Sequence, residues 1–348
     1  MSSRRYSILL LLLMAAALLL VSAVSLYLQP LSGDLTRIGW LSERQFGWQQ
    51  PQMRFDATQY SVGAYTKPYD VVVIGDSFSR GDPSRQWQNY FVARTGYSLL
   101  TLDVHIDKFE AVALLGNDLF KRSPPKIVVI ETVERELLNS HGREQPDCRM
   151  ADSTVAPIAL EIRPPKVMVQ PVAYNRPTGI LESLNPGYGK MFLLKSAAAA
   201  VLPGPSQVRQ LELTETLFSN LAGRTLLVFS NDFAKASWTG SQMQSVRCRL
   251  SELRRAFEAS GKTRLVVMLA PDKLSAFRSH LVNPENIPVS RIRDILEAPG
   301  ILGPRLDLTF DALTAAGVLD LYLPNDTHWG WSGHHAAAMA LADFLEKP

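Results

Sequence analysis

The chain has 348 residues, enough for one large domain or two modest ones, and 46% of them are apolar, which supports a sizeable core. A formal net charge of +3 without a long basic block leaves no footprint for nucleic acid. Two cysteines, Cys148 and Cys248, are too few for a four-cysteine zinc site.

Tyr6 to Leu28 is a run of 23 residues without a formal charge, dominated by Leu, Ala and Val. About 20 apolar residues cross a bilayer, so residues 1–28 read as an uncleaved transmembrane anchor. A cleaved signal has a shorter apolar region, although Ser22-Ala23-Val24-Ser25 offers a small-residue cleavage site. Arg4 and Arg5 belong on the cytoplasmic side by the positive-inside rule, which puts the C-terminal bulk in the periplasm. In that oxidising compartment Cys148 and Cys248 are expected to form a disulfide, the alternative being two buried thiols.

Residues 29–67 are mixed, with Gly, Pro and Gln, and read as a stalk and lead-in. An α/β pattern then fills residues 68–348. Tyr69–Ile74 is the first expected strand. Asp82-Pro83 precedes a helix carrying Trp87, Tyr90, Phe91 and Arg94, which Gly96 closes. Ser98–Val104 is a strand, Lys108–Lys121 a helix and Lys126–Glu131 a strand. Residues 139–223 lose this regularity and read as an insertion, a lid or a partner-binding module, with helices over Leu193–Val201 and Gln207–Leu221. Arg224–Phe229 and Arg264–Ala270 are strands, and Ser241–Ser260 is an amphipathic helix between them. Leu306–Leu308 reads as a short strand, Phe310–Ala316 as a helix and Leu319–Tyr322 as extended. Ser332 caps a last helix. Near-continuous apolar strands alternating with helices indicate a parallel sheet flanked by helices.

Two segments carry chemistry. Gly75-Asp76-Ser77 follows the first strand directly, where a tight turn exposes a side chain and its backbone amides can face an oxyanion. A serine hydroxyl needs an imidazole to take its proton, and the imidazole needs a carboxylate to hold its tautomer. Asp326-Thr327-His328 supplies both. Two residues apart in extended backbone, their side chains fall on one side. The bland alternatives are a common Gly-Asp-Ser turn and a capped turn with a surface histidine. His334 and His335, close to that pair, raise a metal reading, but adjacent helical residues point about 100° apart, so no metal site is expected.

The sequence resembles the SGNH superfamily of serine esterases and acyltransferases. Gly75-Asp76-Ser77-Phe78-Ser79, Asp326-Thr327-His328-Trp329, Val133-Glu134-Arg135 and Pro271-Asp272-Lys273 bring it close to the alginate O-acetyltransferase-like branch of bacterial exopolysaccharide acetylation proteins. The resemblance implies an SGNH, flavodoxin-like sheet facing the periplasm, with Ser77, His328 and Asp326 as a catalytic triad. It also implies an exported polysaccharide as acceptor and an acetyl donor supplied by a membrane-bound O-acyltransferase, with no cofactor on the chain. The usual SGNH Gly-x-Asn-Asp block is absent, so Arg135 is a candidate second oxyanion donor or else a structural ion-pair partner. Serine-first order is ordinary for SGNH enzymes and unlike the alginate enzymes, pointing to another polymer. Trp329 and Trp331 are candidate sugar platforms or packing residues, and Trp238 is a weaker candidate. A polysaccharide acetylesterase with the same triad, and a non-catalytic polysaccharide-binding subunit, are the rival readings.

Overall fold

The computed structural model describes residues 3–29, 32–102, 111–142, 169–201 and 206–346. In chain order, α1 (Ser3–Leu28), α2 (Asp34–Gly39) and α3 (Glu43–Phe46) lead to β1 (Gln52–Arg54) and β2 (Ser61–Gly63). Then come β3 (Val71–Ile74), α4 (Ser77–Arg80), α5 (Trp87–Thr95), β4 (Leu99–Leu102), α6 (Asp118–Arg122), β5 (Ile127–Val133) and α7 (Leu137–His141). Next are β6 (Val172–Tyr174), α8 (Ile180–Ser183), α9 (Pro186–Val201), β7 (Val208–Glu212), β8 (Thr225–Phe229), α10 (Gly240–Glu258) and β9 (Arg264–Ala270). α11 (Lys273–Ala276), α12 (Ile292–Leu296), α13 (Leu306–Ala315) and α14 (Trp331–Glu346) close the chain.

The chain divides into two compact units. One comprises Met1–Pro51, Asn175–Ser230 and Leu323–Thr327; the other comprises Gln52–Tyr174, Asn231–Tyr322 and His328–Pro348. The second holds a five-stranded sheet in the order β2-β4-β3-β5-β9, parallel throughout. Strands β3, β5 and β9 are buried along their whole length, as expected of parallel strands covered on both faces. On one face Val72, Ile74, Val128, Ile130 and Leu265 pack with Leu253 and Phe257 of α10. Met243, Val246 and Leu250 of the same helix pack with Val267 and Leu269. Thr239 and Gln242 form a reciprocal capping box at its start. The chain passes from β3 outward to β4 and then back across to β5. The carboxyl end of β3 is therefore the switch point where ligands of such sheets bind.

The first unit joins α9 to α1 and pairs β7 with β8 antiparallel, Leu211 opposite Leu226. Leu35, Phe46, Val208 and Leu227 form its small core. Glu43 is buried there. It accepts from the Gly33 amide at 3.0 Å and the Asn325 side chain at 2.8 Å, and faces Arg176 at 3.7 Å.

Several sequence expectations change. Residues 29–67 contribute α2, α3, β1 and the sheet's edge strand β2, because Leu35, Phe46, Trp48 and Phe55 are apolar side chains with buried positions to fill. Gln207–Leu221, expected helical, contains β7. Val208 and Leu211 fit a helical spacing, but the backbone of this segment pairs with β8 across five residues. β8 therefore belongs to that two-stranded sheet and not to the parallel one. Leu306–Leu308 is the first turn of α13, with Leu306, Phe310 and Thr314 buried at a spacing of four. The expected helix 108–121 starts outside the described residues; its remainder is a 3-10 turn over Ala111–Gly116 and then α6, restarted where Asn117 caps the Leu119 and Phe120 amides. Cys248 is buried on α10 and carries a disulfide, not a free thiol. Its expected partner, Cys148, lies outside the described residues.

Candidate active site

Ser77 is the first residue of α4, immediately beyond β3 and the Gly75-Asp76 turn, and it is exposed. Gly75 is required sterically: a Cβ there would lie 2.5 Å from Ser79 Oγ and 2.7 Å from Glu131 Oε2, closer than real contacts allow. Asp76 braces the turn with both carboxylate oxygens. Oδ1 accepts from the Phe78 amide at 2.9 Å, and Oδ2 accepts from the Val133 amide at 2.7 Å. The cap takes the Phe78 amide and leaves the Ser77 amide, at the positive end of the turn, as the candidate oxyanion donor.

Glu131 reaches this turn from the neighbouring strand β5. Its Oε2 accepts from the Asp76 amide at 3.1 Å and from the Ser79 hydroxyl at 2.8 Å. Burial pushes its carboxyl well above the usual range, and the Asp76 charge adds to the shift. Ser79 in turn accepts from the Trp87 indole at 3.1 Å, and Gln88 donates to the Ser79 carbonyl at 2.7 Å. Glu131 had no assigned role in the sequence reading. The signal for it was a carboxylate inside an otherwise apolar strand, Ile127-Val128-Val129-Ile130-Glu131.

His328 Nε2 lies 2.8 Å from Ser77 Oγ, within the distance needed for proton transfer. The imidazole also lies over Phe78, ring centroids 5.0 Å apart. Asp326, two residues earlier in the chain, accepts from the Asp34 amide through Oδ2 at 3.1 Å. Tyr322 and Trp329 form an isolated antiparallel bridge around this turn.

The remaining sequence candidates divide. Trp329 is 1% exposed and packs edge-on against Phe78 and Phe310. It cannot stack on a sugar, which corrects its reading as a platform; it supports the floor under His328. Trp331 is 38% exposed, and its amide donates to Gln52 Oε1 at 2.9 Å, so its ring stays available. Trp238 is partly buried against the α10–β9 cluster. Arg135 is buried, 3.5 Å from Asp232 Oδ1, with its guanidinium 5.8 Å from the Phe78 ring centre. Burial and the Asp272 charge push Asp232 up to about 7 even beside this guanidinium. Lys235 lies between Asp272 and Glu134 behind the pair. His334 is buried with its ring edge-on to Trp329, and burial lowers it to about 3. His335 is exposed, and its ring meets Tyr90 edge-on.

Residues 227–348 match the family model described as the SGNH hydrolase-like domain of acetyltransferase AlgX. The matched stretch contains Asp326 and His328, and Ser77 lies ahead of it in the chain. No curated protein matches the chain. The domain type is that of acyltransferases and esterases. Residues 227–348, roughly the C-terminal third of the chain, are thus similar to the SGNH hydrolase-like domain of this acetyltransferase family.

Proposed function

We propose that this protein is a membrane-anchored periplasmic O-acetyltransferase that modifies an exported polysaccharide. The observation that carries the reading is the 2.8 Å approach of His328 Nε2 to Ser77 Oγ at the carboxyl end of β3. The description of the matching family as an acetyltransferase supports transfer over simple hydrolysis.

In the proposed cycle His328 takes the Ser77 proton as Oγ attacks the carbonyl carbon of an acetyl ester. The tetrahedral oxyanion is held by the Ser77 amide, with Arg135 the candidate for a second donor. The donor's alkoxide leaves with the proton from His328, and acetyl-Ser77 remains. A sugar hydroxyl then attacks the same carbonyl while His328 removes its proton. Collapse returns that proton to Ser77 and releases the acetylated sugar. Asp326 is the carboxylate assigned to hold the His328 tautomer. The anchor is α1, 26 residues long with a mean hydropathy of 2.8 over its most apolar window, oriented by Arg4 and Arg5 toward the cytoplasm. The acetyl donor crosses the membrane through a partner, a membrane-bound O-acyltransferase.

The test is rapid intact-mass analysis after incubation with a chromogenic acetyl ester, with and without short oligosaccharides. Wild type gains one acetyl group, Ser77→Ala none, and a competent oligosaccharide discharges the adduct and becomes acetylated. An adduct discharged by water alone makes the protein an esterase. No adduct and no chromophore release returns the chain to a binding role.

A further inference from the structure

α8 and α9 form an apolar element that the catalytic reading does not use. Leu181 is 88% exposed, Val201 78% and Ile180 74%, and Leu184 and Leu194 are also exposed. α9 is apolar around its circumference except for Lys190, Lys195 and Ser196. Apolar side chains gathered this densely in water mark a surface that another medium covers.

The position of the element along α1 identifies the medium. Ser25 Oγ donates to the Ser183 carbonyl at 2.7 Å and accepts from the Asn185 amide at 2.6 Å. At Gly189 a Cβ would fall 2.1 Å from the Val21 carbonyl oxygen, so only glycine lets α9 sit this close to α1. The element is therefore fixed to residues 21–25 of α1. Tyr6 and Tyr27, both exposed, bracket the span; 21 residues at 1.5 Å each put them about 31 Å apart, the thickness of a hydrocarbon core. Tyrosines favour the two membrane–water boundaries. Tyr27 and the guanidinium of Arg44, 5.4 Å from its ring centre, thus mark the outer boundary, and residues 21–25 lie just beneath it. Whatever surrounds α1 at that depth also surrounds α8 and the start of α9.

We propose that α8 and α9 lie in the outer interfacial layer of the bilayer, a second lipid contact beside α1. This inference rests on the reading of α1 as a membrane span. Ile180, Leu181, Leu184 and Leu194 face the acyl-chain boundary. Lys190 and Lys195 extend to phosphate headgroups, their stems running over apolar surface. The unit that contains α8 and α9 is thereby held against the membrane at a second place beside α1.

The test uses the full chain in vesicles of phosphatidylethanolamine and phosphatidylglycerol. Single substitutions Leu12→Cys, Leu181→Cys, Leu194→Cys and Val289→Cys are labelled with an environment-sensitive fluorophore, and lipid-borne quenchers report contact. Quenching at 181 and 194 is expected within about twofold of that at 12 and several-fold above that at 289. Quenching at 12 with 181 and 194 behaving like 289 overturns the proposal and leaves the span intact. A blue-shifted but unquenched label at 181 or 194 also overturns it, because protein and not lipid then covers the element. Loss of quenching at 12 as well overturns the span and the proposal together. Wild-type protein in the same vesicles, treated with a lipid-soluble photolabel and read by peptide mass, tests the idea without substitution. Label is expected in peptides covering residues 180–201, and its absence there while α1 is labelled overturns the proposal.

Discussion

Glu131 accepts a hydrogen bond from the Ser79 hydroxyl at 2.8 Å. Because the same oxygen accepts the Asp76 amide, one buried carboxyl on β5 grips the turn on both sides of Ser77. A carboxyl that keeps its proton has nearly the outline and hydrogen-bonding capacity of an amide. Glu131→Gln should therefore retain acetyl transfer to within roughly fivefold, whereas Glu131→Ala should lower kcat by about 100-fold with KM little changed, the scale of a misplaced nucleophile. Steady-state kinetics on an acetyl ester checks both. Equal losses in the two variants would remove Glu131 from the positioning role.

The same carboxyl sets a pH dependence of stability. Its folded-state pKa is raised above the unfolded value, by burial first and then by the Asp76 charge. The folded protein therefore holds a proton that the unfolded chain has released, and stability falls as pH rises above 4.5, the ordinary glutamate value. Urea unfolding of Glu131→Gln, followed from pH 5 to 8, should show a shallower decline than wild type. A parallel decline would mean that Glu131 ionises normally.

His334 acts in the opposite direction. Burial is the main cause that lowers it to about 3, with the His328 and Arg85 charges adding. Its folded pKa is depressed, so the unfolded chain takes up the proton first, and stability is lost as pH falls below about 6.5. At pH 5 the loss amounts to roughly 2 kcal/mol from this group. His141, buried and lowered to about 4, adds to the same acid limb. His334→Phe should remove part of the difference in unfolding free energy between pH 7 and pH 5. An unchanged difference would show that His334 titrates normally in the folded protein.

The two tryptophans beside His328 should separate cleanly. Trp329 is buried on Phe78 and Phe310, and Trp329→Ala should destabilise by about 3–5 kcal/mol, the range for a large aromatic removed from a core. Trp331→Ala should leave the unfolding midpoint nearly unchanged. If Trp331 stacks on the acceptor, that variant raises KM for oligosaccharide and leaves acylation by the small ester intact. Unaltered kinetics in both half-reactions would rule the platform out.

The parts of the fold legible in sequence were those with one strong local signal. β3, β5 and β9 announce themselves as unbroken apolar runs, α10 by its periodicity and cap, and α14 by its periodicity, although Ser332, expected to cap α14, lies inside it and donates to the Asp320 carbonyl. Gly75-Asp76-Ser77 and Asp326-Thr327-His328 stood out because their residue types and order suit proton transfer, and in the structure His328 Nε2 and Ser77 Oγ lie 2.8 Å apart. β7 was missed because Val208 and Leu211, three residues apart, fit a helical spacing and not the alternation of a half-buried strand, and the pairing with β8 overrides that local signal. β2 was missed because three residues, Ser61-Val62-Gly63, carry no propensity of their own and are extended only because β4 offers an edge. Glu131 was visible as a residue but not as a function. Its role depends on the register that sets β5 beside β3, Ile130 opposite Ile74, and sequence does not supply that register.

Gly75 gives the sharpest steric prediction. A methyl group there meets Ser79 Oγ at 2.5 Å and Glu131 Oε2 at 2.7 Å. Both neighbours are fixed, Ser79 by Trp87 and Gln88 and Glu131 by its strand, so the Gly75-Asp76-Ser77 backbone must move. Gly75→Ala should abolish acylation of Ser77 in the intact-mass assay, while the far-ultraviolet circular dichroism remains that of a folded α/β protein. Gly240→Ala is the matched control. That glycine opens α10 with nothing within 4 Å of the added methyl, and alanine is the better helix former. Stability should hold or rise slightly and acylation should be unchanged. Full acylation in Gly75→Ala would mean that the turn tolerates a shift of Ser77, and the fixed geometry assigned to the nucleophile would then be wrong.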